Sequence, residues 1–207
     1  MLTPLGPVAA DDSDQGGTTT IVAFGDSLVH GYGLPERETF PSQLESALRE
    51  TGYDATVVNA GNSGDTTESG RARLDWVLQD NADAVIVVLG ANDALRGVDP
   101  ARTRDNLERI LQRLTNQGLE VLLAGMMAPR NLGSEYVEEF DSIFPRLAEE
   151  YEVVFYPFFL EGVAGESRLN QGDGIHPNSE GVAAIVDGIL PDVETLIERA
   201  REEQAEG

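Results

Sequence analysis

Two histidines occur in the 207 residues, and one of them, His176, stands three residues after Asp173 and directly before Pro177 in the stretch DGIHPNSEG. An aspartate and a histidine at i and i+3 of a loop can meet side by side. The carboxylate then fixes one ring nitrogen and leaves the other free as a base. Alone, the pair is equally readable as a surface histidine beside a helix starting at Pro177-Asn178. A second candidate is Ser27 in the glycine-rich turn GDSLVHGYG, behind Gly25 and Asp26. A serine at the mouth of a strand-to-helix turn serves more often as an N-cap than as a nucleophile. The turn is not a nucleotide cradle, because GxGxxG is absent and a GxxxxGK loop needs a lysine that the chain lacks. The GxSxG elbow of another hydrolytic class is missing too.

Two further stretches carry donors. In NAGNSGDTTESG, Gly61 and Gly64 free the backbone to turn N–H groups towards an anion, while Asp65 or Thr66 can instead cap a helix beginning near Thr67. In LGANDALRG, Asn92 offers a side-chain amide, although Asn-Asp is also ordinary turn chemistry. His30, in LVHGYG, has no carboxylate beside it and is assigned to the first turn of a helix, outside any site.

The elements that must position these residues follow from apolar patterning. Thr20–Phe24, Ala55–Val58, Ala84–Leu89, Glu120–Ala124 and Val153–Tyr156 are strand-length, rich in β-branched or aromatic residues, and nearly continuous in apolar character. That is the signature of parallel strands buried on both faces. Helical patterns fall between and after them, at about Pro41–Thr51, Thr67–Gln79, Pro100–Asn116, Ser134–Glu150 and Ser179–Arg201. In the third of these, Leu107, Ile110, Leu111 and Leu114 share one stripe. Alternating βα units predict a parallel sheet with helices on both faces, and ligands of such sheets sit at the carboxyl ends of the strands. Ser27, the Gly64 loop, Asn92 and the Asp173/His176 pair all fall there. Each is a weak signal alone, but together they are a nucleophile, a base, an orienting acid and oxyanion donors: the parts of acyl transfer.

Over nearly all of the chain from about Thr20, the sequence resembles the GDSL, or SGNH, hydrolase family. Its four blocks occur in order: GDSL at Gly25–Leu28, the glycine of NSGDT at Gly64, GAND at Gly90–Asp93 and DGIHP at Asp173–Pro177. The segment from Phe144 to Gly181 is similar to the bacterial arylesterase, lysophospholipase and acyl-CoA thioesterase branch. The resemblance implies a three-layer α/β/α, flavodoxin-like fold with a five-stranded parallel sheet in the order 2-1-3-4-5. It further implies Ser27 as nucleophile, His176 as general base and Asp173 as the residue orienting it. The N–H groups of Ser27 and Gly64, with the Asn92 amide, would form the oxyanion hole, and Asp26 and Asp93 would hold loops in shape.

Apolar loop residues near these positions, Leu95, Met126, Met127, Pro129, Phe158 and Val163, are expected to wall the substrate pocket; for the two methionines, core filling is an equal alternative. Apolar walls suit acyl and aryl groups. The expected substrates are therefore short- to medium-chain acyl esters and aryl esters, with thioesters and lysophospholipids in view. A carbohydrate acetylesterase with the same machinery, or a non-catalytic anion-binding module, are the alternatives.

Composition limits the remaining classes. There are 37 acidic against 14 basic residues, all arginine, for a net charge of −23. Such a field repels phosphate backbones, so no nucleic-acid partner is expected. It reads as a solvated acidic surface, or more sharply as adaptation to high salt. With no cysteine and two histidines, a metal site would need mostly carboxylates, and neither metal nor cofactor is expected. No apolar run is long enough for stable membrane insertion. Residues 1–18 read as a disordered tail before a single domain spanning 19–207. Val8-Ala9-Ala10 before Asp11 resembles a signal-peptidase site without a charged n-region or full apolar h-region, hence a remnant of an export signal. The remnant and the resemblance point to the periplasm or beyond, with the cytoplasm left open; the oligomeric state is not encoded in these patterns.

Overall fold

The computed structural model describes residues 17–78 and 82–206. The tail as far as residue 16, with its signal-peptidase-like stretch, and the Gln79 end expected for the helix from Thr67 lie outside the described residues. Five strands form one sheet: β1 (Thr19–Gly25), β2 (Ala55–Gly61), β3 (Ala84–Val88), β4 (Glu120–Ala124) and β5 (Val154–Tyr156). Their order is β2-β1-β3-β4-β5, and every pairing is parallel, as expected. All five residues of β3 are buried, which a central strand covered on both faces requires. The register sets Gly25 level with Gly61 on one side and Val88 on the other, so three chain segments leave the sheet together at its carboxyl edge.

Helices cover both faces. α2 (Phe40–Glu50) packs on α8 (Ser179–Glu206) and on β2, while α8 also reaches β3, β4 and β5. On the other side α3 (Thr67–Val77) packs on α5 (Pro100–Thr115), which meets α7 (Ile143–Glu150). α5 begins where it should: Asp99 accepts from the Ala101 N–H as N-cap, and Pro100 sits in the first turn where its missing N–H costs nothing. Its predicted stripe, Leu107, Ile110, Leu111 and Leu114, is fully buried, each side chain contributing about 2 kcal/mol of apolar burial.

One helix differs from expectation. Ser134–Glu150 is not continuous but divides at Ser142 into α6 (Ser134–Asp141) and α7. Pro145 explains the break, because its ring has no N–H to give the carbonyl of Asp141 and clashes with it. Short elements also lie where no period could be read: α1 (Ser27–His30), α4 (Ala91–Leu95), and 3₁₀ turns at Glu36–Glu38 and Arg130–Leu132. Among the described residues no helix is long and apolar enough to cross a membrane.

Candidate active site

Ser27 opens α1 but does not cap it. That task falls to Asp26, fully buried, whose Oδ1 accepts the Leu28 N–H at 3.0 Å. The N-cap reading of Ser27 is thereby corrected, and its hydroxyl is free to face elsewhere. It lies 2.9 Å from Nε2 of His176, 149 residues away in sequence. α1 is held close to the end of β2: a Cβ on Gly61 would lie 2.1 Å from the His30 nitrogen, so only glycine lets the helix sit there. His30 itself is exposed and takes no part in the cluster.

The His176 ring is held from behind. Its Nδ1 is 2.7 Å from Oδ2 of Asp173, whose Oδ1 accepts the backbone N–H groups of Ile175 at 2.9 Å and His176 at 3.0 Å. The His176 side chain first, then those two N–H groups, holds the Asp173 carboxyl well below the usual carboxylate range. An ionised Asp173 favours the tautomer with a proton on Nδ1, which leaves Nε2 with its lone pair towards Ser27. Pro177 does not begin the last helix: α8 starts at Ser179, with Asn178 accepting the Gly181 N–H through its side chain.

Asn92, in α4, donates its amide to Oδ2 of Asp26 at 3.1 Å, which leaves its second N–H uncommitted. Gly64 has φ of +86°, a left-handed conformation that suits glycine, and neither its N–H nor that of Ser27 donates to another group among the described residues. Arg96 joins the two regions, with Nη2 2.9 Å from the Gly64 carbonyl and 3.5 Å from Oδ1 of Asn92. Arg73 ties the Gly64 loop to β1: Nη2 bonds the Gly25 carbonyl at 2.8 Å, Nε bonds Asp65, and the guanidinium lies 4.5 Å over the Phe24 ring. Asp93 accepts from the Thr67 N–H at 2.8 Å and its hydroxyl at 2.6 Å, anchoring α3. Thr66, rather than Asp65, caps α3 through a reciprocal pair with Ser69. None of Arg73, Arg96, Tyr32 or Gln171 was marked by sequence patterns, since each reaches a partner remote in the chain or a backbone carbonyl.

Burial pushes Asp26 up to about 6, against the opposing pull of the Leu28 N–H, the Asn92 amide and His176. It is a desolvated carboxyl group beside the serine, bonded to the Leu28 N–H and the Asn92 amide and set back from the cavity.

A cavity of about 450 Å³ opens beside Ser27 and His176. Leu95, Met126, Met127, Pro129 and Phe158 line it, joined by Leu160, Ala164 and Ile175. Met126 is both wall and core, whereas Met127 is partly exposed. Val163 is a correction: it is fully buried among core residues and forms no part of the wall, because the turn carrying it directs Ala164 outward instead. Asp141 shapes the far side, accepting from the Ala128 N–H at 2.8 Å and from Arg130 at 2.6 Å.

Fold and site together define a class, an α/β protein with a Ser-His-Asp chain of contacts at the carboxyl edge of a parallel sheet. More specifically, the chain belongs to the GDSL-like lipase/acylhydrolase family, whose model matches residues 23–184. The arylesterase of Vibrio mimicus is 41% identical over 161 residues, 77% of this chain and 80% of that protein. The thioesterase 1/protease 1/lysophospholipase L1 of Escherichia coli (strain K12) is 37% identical over 179 residues, 86% of this chain and 85% of its own. Among solved structures, AlinE4, an SGNH-hydrolase family esterase, shares 46% identity at a TM-score of 0.75, covering 88% of this chain and 98% of that one.

Proposed function

We propose that the chain is a serine esterase that hydrolyses short- to medium-chain acyl esters and aryl esters through an acyl-enzyme intermediate, thioesters and lysophospholipids falling within the same carbonyl chemistry. The observation that carries this reading is the unbroken Ser27–His176–Asp173 contact, 2.9 Å and 2.7 Å, at the mouth of an apolar cavity. Ser27 Oγ attacks the carbonyl carbon while its proton passes to Nε2 of His176. The C–O π electrons move to oxygen, where the Ser27 and Gly64 N–H groups and the free Asn92 N–H receive the charge. One such donor is worth about 3 kcal/mol in the transition state. The intermediate collapses by breaking the bond to the leaving group, which takes the proton from Nε2. Water then repeats the sequence on the acyl-enzyme and restores Ser27. Asp173 stays ionised and stabilises the imidazolium.

The relatives named arylesterase and thioesterase/lysophospholipase support this substrate range, and the mainly apolar wall disfavours sugars. A chain-length series of p-nitrophenyl esters and a thioester, run on wild type and Ser27→Ala with a fluorophosphonate label, tests it. Ser27-dependent labelling and hydrolysis of aryl butyrate are expected. Turnover of acetylated sugars alone would replace the reading with a carbohydrate acetylesterase, and a folded protein that takes no label would end it.

A further inference from the structure

Tyr32 lies against the His176 ring but does not line the cavity that His176 lines. The two ring centroids are 4.6 Å apart with their planes at 35°. The phenol is 52% exposed, and its hydroxyl bonds nothing among the described residues, so the ring rather than the oxygen makes the contact. Its place is set from both sides of the site. The Tyr32 N–H donates to the Ser27 carbonyl at 3.1 Å, which ties it to the turn carrying the hydroxyl. Its own carbonyl accepts from Nε2 of Gln171 at 2.7 Å. The same amide nitrogen donates to the Pro177 carbonyl at 2.9 Å, and the Gln171 N–H donates to the His176 carbonyl at 2.7 Å. Gln171 thus joins the Ser27 turn to two successive carbonyls, those of His176 and Pro177, in the chain that carries the imidazole. The neighbouring Gly33, at φ +75°, leaves room for it: a Cβ there would stand 2.4 Å from Gln171 Oε1.

We infer that Tyr32, held by Gln171, is a positioning residue for His176, its ring face keeping the imidazole in line with Ser27 and stabilising the imidazolium that forms as Ser27 loses its proton. The inference rests on the serine-esterase reading above. Contacts at Nδ1 and Nε2 alone still let the imidazole rock about its Cα–Cβ and Cβ–Cγ bonds, and a flat neighbour at 4.6 Å limits that motion. The contact also strengthens as charge appears, since an aromatic face attracts a cation far more than a neutral ring, so it favours the transition state over the ground state. The charged groups that bear on the ring are Asp173 from its own loop and Asp26 from the β1–α1 junction, and both favour the same imidazolium.

The test measures kcat and KM on p-nitrophenyl butyrate across pH for wild type, Tyr32→Leu, Tyr32→Phe and Gln171→Met, with imidazole NMR titrations of each. Tyr32→Leu is expected to lose roughly tenfold in kcat, the worth of a partly shielded cation–π contact, with KM within about twofold. Its acid limb and the His176 resonance should move to lower pH, with His30 as an unmoved internal reference. Tyr32→Phe keeps the ring and should restore all three readouts. Gln171→Met should lower kcat through geometry alone, and it keeps the proposal testable if Tyr32→Leu does not fold. A Tyr32→Leu protein with wild-type kcat and an unmoved His176 titration overturns the inference, as does a Tyr32→Phe that falls equally far. A wild type without Ser27-dependent turnover would instead overturn the esterase reading, and the NMR arm separates the two.

Discussion

Asp26→Asn should make the protein less active, and it should shift stability towards the variant as pH rises. Asp26 is fully buried, and burial holds its carboxyl at about 6 against 3.8 for the free side chain. Since the folded value is the higher one, the unfolded chain binds fewer protons between the two. Stability therefore declines as pH rises through roughly 4 to 6 and levels off above. At 1.36 kcal/mol per pH unit, the ionised carboxylate costs the folded state about 3 kcal/mol at pH 8 and about half of that at pH 5. Asparagine has no such charge. It can still accept the Leu28 N–H, but its Nδ2 would face the amide nitrogen of Asn92 where Oδ2 now accepts at 3.1 Å. That donor–donor contact subtracts about 1–3 kcal/mol from the gain at every pH. The diagnostic is consequently the slope, not the offset.

Urea unfolding of both proteins at pH 5, 6, 7 and 8 measures it; this range stays above the pI near 4.2, where solubility is lowest. The stability difference should shift towards the variant by between about 1 and 2 kcal/mol from pH 5 to pH 8, most of it below pH 7. Hydrolysis should fall roughly ten- to a hundredfold in kcat as the Asn92 amide loses the partner that orients it. A stability difference that is constant across the range would show that Asp26 ionises in the fold as it does in water, and the burial argument would fail. A wild-type kcat would show that Asn92 needs no anchor.

Gly61→Ala should cost about 1–3 kcal/mol and most of the activity, because the new methyl would meet the backbone of α1 at 2.1 Å and displace Ser27 with it; unchanged Tm and kcat would refute the close contact. Sodium chloride up to about 1 M should raise Tm, since it screens the self-repulsion of a net charge of −23; a Tm that falls steadily with salt would remove self-repulsion from the account.

What could be read in advance follows from which groups have chemical identity. The strands were legible because a parallel sheet demands unbroken apolar runs, and the Ser27, His176 and Asp173 cluster was legible because only certain side chains can donate, accept or attack. The ambiguity at Ser27 had a local cause: Asp26 and Ser27 are both good N-caps at adjacent positions, and only packing decides that Asp26 takes the role. Val163 and Ala164 are both small apolar residues of one turn, and which faces the cavity depends on a backbone direction that has no periodic trace. The supporting residues were illegible for a deeper reason. Gln171 bonds the carbonyls of Tyr32 and Pro177, Arg73 that of Gly25, and Arg96 that of Gly64. A backbone carbonyl is the same group in every residue, so a side chain that serves one leaves no complementary letter elsewhere in the chain. The side chains that meet at the candidate site are thus written in residue types, whereas the geometry that aligns them rests on acceptors with no residue type at all.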